Sequence, residues 1–95
     1  MSTTITEPAD AMRVYPWEER DGQPVRPFRG SSWVIARKDA DDVHVLIEGV
    51  QSADGIVRTV VVGDIEFTVG QARQLADALT AAVDEAERMA SYDAI

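Results

Sequence analysis

The residues that could do chemistry are few, and their spacing works against it. His44 is the single histidine of the 95-residue chain, and there is no cysteine. A catalytic imidazole needs a nucleophile to activate or a carboxylate to orient it. Glu48 shares the parity of His44 along an alternating stretch, but four residues of extended chain, about 13 Å, separate them. His44 therefore reads as a surface or interface side chain. Asp39, Asp41 and Asp42 crowd a short polar run. A calcium loop of the EF-hand kind also needs a glycine at its sixth position and a distal glutamate, and neither is there. The run reads as a solvated turn. Asp84, Glu85 and Glu87 point in different directions around a helix and do not converge on a metal. Gly49, Gly55, Gly63 and Gly70 are spaced as strand and turn punctuation, matching neither the dinucleotide fingerprint nor the P-loop. No serine elbow is present. Thiolate chemistry, disulfides and cysteine-based zinc sites are excluded by composition. The expectation is a protein that is not an enzyme and needs no cofactor or metal.

Charge narrows the partners. The chain carries 17 acidic residues against 9 basic ones, a formal net charge of −8. Residues 1–31 hold four Arg against five acids, and residues 32–95 hold five basic residues against twelve acids. Such a body repels phosphate backbones, which attract protein through Lys and Arg. Direct nucleic-acid binding is disfavoured and solubility favoured. The first ten residues lack the basic start and apolar run of a signal peptide. Runs such as Val60-Val61-Val62 are far too short to cross a bilayer. No membrane partner is expected, and the chain reads as cytoplasmic.

The elements that must position any site fall into two parts. Residues 1–31 hold all four prolines, Pro8, Pro16, Pro24 and Pro27. Proline fixes φ and removes a donor, which argues against helix or central strand. This part also holds Tyr15, Trp17 and Phe28, half of the six aromatics. It reads as disordered over its first dozen residues and, beyond them, as an extended arm laid over the domain, the alternative being a sticky binding segment. Asp21-Gly22 is a turn signal within it. Arg13, Arg20, Arg26 and Arg29 flank the aromatics and are expected to dock on the acidic body.

Residues 32–95 read as the domain proper. Ser32–Lys38 is rich in β-formers. Val43–Gln51 alternates, with Val43, Val45 and Ile47 on one side and His44, Leu46, Glu48 and Val50 on the other. Ser52-Ala53-Asp54-Gly55 is a hairpin signal, Ile56–Val62 returns, and Ile65–Phe67 is a short last strand. Ala72, Leu75, Ala76, Leu79, Ala82, Val83, Ala86 and Ala90 then recur with helical period. Thr68 and Gln71 form a capping box. The helix is expected from about Val69 to Ala90, with Arg73–Asp77 and Asp84–Arg88 as outer-face pairs and Ser91–Ile95 frayed. The predicted fold is α+β: a small antiparallel sheet of three to four strands packed on one C-terminal helix, with an extended N-terminal arm.

One helix covers one sheet face. The opposite parity nevertheless carries Leu46, Val50, Val57 and Val61, where a solvated face would be mostly polar. A cover is expected, either the aromatic arm or a second subunit. Tyr15, Trp17, Phe28, Trp33, Leu46, Val50, Val57 and Val61 are the candidate partner-binding residues, the two Trp because this side chain is enriched at binding hot spots. Ala78, Ala81 and Ala82 form a smooth strip beside the main stripe, read as helix propensity.

The run from Glu48 to Gly55, followed by Phe67-Thr68-Val69-Gly70-Gln71-Ala72-Arg73-Gln74-Leu75-Ala76-Asp77-Ala78-Leu79, resembles small uncharacterised proteins of mycobacteria and their phages. The resemblance spans roughly residues 43–92. It implies an actinobacterial or phage setting and transfers no functional residue. The functional expectation is a non-catalytic protein-interaction module, homodimeric. The alternatives are an acidic regulator of a nucleic-acid-binding host protein or a phage structural or assembly component.

Overall fold

A computed structural model of the protein describes residues 5–93. Six strands, β1 (Arg13–Val14), β2 (Glu18–Arg20), β3 (Gln23–Arg37), β4 (Ala40–Ser52), β5 (Gly55–Val62) and β6 (Ile65–Thr68), precede one helix, α1 (Val69–Asp93). They form one antiparallel arrangement in the order β1-β3-β4-β5-β6, with β2 pairing on β3 as well. The α+β class follows. The expected count of three to four strands is too low, because the proline-rich segment adds β1, β2 and the first half of β3.

The prolines mislead for a geometric reason. The carbonyl of Pro27 accepts the Tyr15 N–H at 2.9 Å. A strand residue's N and C=O point to the same side, so the Pro27 nitrogen faces outward and the β4 ladder loses no donor. Pro24 lies beyond Arg26↔Gln51, the last β3–β4 pair on that side. Asp21 and Gly22, at φ 50° and 77°, close the β2–β3 hairpin. Positive φ at both central residues is what a type I′ turn requires.

Register assigns the faces. Val43 lies opposite Ile35 and Val45 opposite Trp33, while Val60 lies opposite Phe67 and Val62 opposite Ile65. Directly opposed residues share a face, so these apolar residues make one surface, and α1 lies on it. The helix begins at the expected cap. The Gln71 N–H donates to Thr68 Oγ1 at 3.1 Å, and the Thr68 N–H donates to Gln71 Oε1 at 3.0 Å. It runs on through Ser91–Asp93, where fraying was expected, and 94–95 lie outside the described residues. The expected outer pairs Arg73–Asp77 and Asp84–Arg88 are not among the ion pairs formed.

The helix touches only β5 and β6. At 25 residues it is about 37 Å long, and its second half has no sheet beneath it. The principal extents are therefore 74 × 26 × 24 Å, with a radius of gyration of 18.8 Å. A compact chain of this length would have about 12 Å.

The interior is small and lies at the other end of the same face. Phe28 is 1 % exposed and sits opposite Gly49. Residues 5–10 run over this end. Gln51 Nε2 donates to the Thr6 carbonyl at 2.7 Å, Arg26 Nη2 donates to the Ile5 carbonyl at 3.1 Å, and Arg58 grips Asp10 through Nε and Nη2 at 2.9 and 2.6 Å. Pro8 is buried. The N-terminal segment thus covers the helix's own face, beyond the helix. It does not cover the opposite face, which was one of the two covers expected there.

Candidate interaction surface

Between α1 and the sheet lies an apolar wedge of about 450 Å³. Ile35, Val43, Val45, Val60 and Val62 form its floor, and Ala72, Leu75, Ala76 and Leu79 form its roof. The floor exists because β4 and β5 alternate in phase, with every second residue a β-branched one facing up. The roof exists because the helical stripe faces down. The wedge stays open because α1 is anchored at β6 by the Thr68 cap and does not reach β3 or β4. Past it the stripe continues into solvent, with Leu79 56 % and Val83 53 % exposed.

The opposite face carries four of the expected residues in two cross-strand pairs, Leu46↔Val61 and Val50↔Val57. The polar pair Glu48↔Thr59 separates them. Leu46, Val50 and Val61 are half-buried by their own neighbours, and Val57 is 68 % exposed. The face is an interrupted apolar strip. Tyr15 borders it, lining a shallow hollow with Pro27, Arg29 and Glu48.

The aromatics divide. Phe28 is interior and has no surface to offer a partner. Trp17 lies under the Arg26 guanidinium at 4.8 Å, and Tyr15 lies under that of Arg13 at 4.9 Å, both cation–π distances. Trp33 is 53 % exposed beside the wedge. Of the four N-terminal arginines expected to dock on the acidic body, only Arg29 meets an acid of residues 32–95, Glu48 at 3.9 Å; Arg20 pairs with Glu18 inside the N-terminal part at 3.0 Å, and Arg26 donates to the neutral Gln51 Oε1. The expected list joins Leu46, Val50, Val57 and Val61 on one face but leaves out the wedge. Its signal was present in part in the shared parity of Val43, Val45 and Ile47, the side expected under a helix assumed to cover it.

Among the described residues the shortest ion pair is Asp10–Arg58. The guanidinium hydrogen-bonds lower the Asp10 carboxyl below its usual range and raise Arg58. The His44 side chain is exposed on β4. Among the described residues no group of three or more His, Asp or Glu side chains could hold a metal ion. No helix of the described residues is long and apolar enough to cross a membrane. Comparison with family models, curated proteins and solved structures finds no match for this chain.

Proposed function

We propose that the protein is a non-catalytic interaction module that works as a homodimer, of the actinobacterial or phage setting its C-terminal half resembles. The observation that carries this reading is surface. A compact monomer of this mass exposes about 5,400 Å². This chain exposes 7627 Å², an excess of about 2,200 Å². A standard interface buries about 800 Å² on each partner. The excess is apolar where it matters, in the wedge and along Leu79 and Val83, and nothing within the described residues fills it.

The test is absolute mass in solution by size exclusion with light scattering on the full chain, over a range of concentration. A mass near twice the 10.4 kDa of one chain supports the reading. A monomer at every concentration removes it.

A further inference from the structure

We propose that the outer edge of β3, from Ser32 to Ala36, pairs antiparallel with the same edge of a second copy about a two-fold axis at Val34. The inference rests on the homodimer reading and names its interface.

β3 is flanked on its outer side only in part. β1 pairs with it at Phe28 and Arg29, and β2 at Gln23–Val25. From Ser32 onward, no described strand pairs with it on that side. The pairs Trp33↔Val45 and Ile35↔Val43, with the Pro27 carbonyl pointing outward and one extra residue at the bulge between Arg29 and Ser32, set the alternation. Trp33 and Ile35 direct their backbone groups to β4. Ser32, Val34 and Ala36 direct theirs outward, unpaired. Such an edge is a template for another strand, and proteins usually blunt it with charge or proline. Here Trp33, Val34 and Ile35 are 53, 56 and 49 % exposed, and Ser32–Ala36 contains neither.

The occupant follows from the segment's own sequence. Antiparallel pairing centred on Val34 sets Trp33 against Ile35 of the second copy, twice per dimer. Aromatic against β-branched is a favourable cross-strand pair. Arg37 then faces Ser31 of the second copy, so no like charges oppose one another. The outward groups of Ser32, Val34 and Ala36 are the ones this register uses. Trp33 and Ile35 also lie on the wedge face, so pairing joins the two wedge floors into one apolar surface across the axis. A two-fold contact of one patch with itself is the commonest form of closed assembly.

Three variants of the full chain test the interface. Val34→Lys sets two ammonium groups against each other at the axis and should weaken the dimer roughly tenfold or more. Val34→Pro removes an outward donor, as Pro27 does naturally in the same strand, and should also give monomer with an unchanged circular dichroism spectrum. Val34→Cys places thiols on α-carbons about 5.5 Å apart, within disulfide range. In this cysteine-free chain it should oxidise to a covalent dimer, whereas Val57→Cys should not. A wild-type dimer that persists in both Val34→Lys and Val34→Pro, or a Val34→Cys chain that does not crosslink, overturns the edge interface and leaves the homodimer standing on another surface. A monomeric wild type overturns both. Should the first two variants unfold, the crosslink decides.

Discussion

The ring of Phe28 lies across the β3–β4 ladder on the α-carbon of Gly49, in the volume a Gly49 side chain would occupy. A single methyl there meets the far edge of a ring that is itself enclosed. The glycine is thus the floor of the small interior. Gly49→Ala should destabilise the fold by about 1–3 kcal/mol, the range for overpacking. Phe28→Ala should cost about 3–5 kcal/mol. Urea titration of each variant, with unchanged m-values, checks both.

The clamp of Arg58 on Asp10 gives the N-terminal segment a pH response. Asp10 has a folded pKa lowered first of all by the Arg58 hydrogen bonds. A depressed carboxyl stabilises the closed state at pH above its unfolded value of about 3.9, and the contribution is lost as pH falls through the lowered folded value. The protection of residues 5–12 from hydrogen exchange, taken relative to the intrinsic rate at each pH, should therefore fall only at acid pH in the wild type. In Asp10→Asn it should be low at neutral pH as well. Equal protection in both would show the clamp to be inert.

The reciprocal Thr68–Gln71 cap sets where α1 starts and, through that, its angle over the wedge. Thr68→Ala should cost about 1 kcal/mol. Because the helix rests on only two strands, the loss should appear first as fraying of Val69–Gln74, seen by hydrogen exchange. A global loss of stability with the helix start still protected would mean that α1 is held by packing and not by its cap.

Self-association through apolar surface between two bodies of formal charge −8 has a definite salt signature. Repulsion between the copies is screened as salt rises, so the dimer should tighten between low and moderate ionic strength. Its melting temperature should also rise with protein concentration, by mass action. Weakening with salt would favour charge-driven capture of a basic partner, the acidic-regulator alternative.

Much of the domain was legible because its signals are local. The switch from a two-residue to a 3.6-residue period at Thr68, the hairpin turn within Ser52–Gly55 and the capping box each lie within a few residues of sequence, and each appears at its expected place. In the first thirty residues the Asp21-Gly22 turn was legible, but the strands on either side of it were not. Pro27 speaks against a strand unless one knows to which side its nitrogen points, a property of register with β4, and Pro24 is tolerated because it lies past the end of that ladder. The apolar stripe from Ala72 to Ala90 was also plain, but its relation to the sheet was not. Periodicity reports which side of a helix is apolar, not whether the sheet beneath is long enough to cover it. The same gap hid the wedge: Val43 and Val45 of its floor share a parity, and the assumption of full cover by the helix left that side out of the candidate surface.

The contacts that seat the N-terminus join residues far apart in the chain: Thr6 to Gln51 and Asp10 to Arg58. During synthesis this segment leaves the ribosome before residues 51–58, and its seat does not exist until residue 58 has emerged. At about 5–20 residues per second that delay is on the order of seconds. Residues 5–10 are therefore expected to be made well before they can be placed. Nascent chains stalled short of Arg58 should be cut by protease in this segment, while released chains should resist.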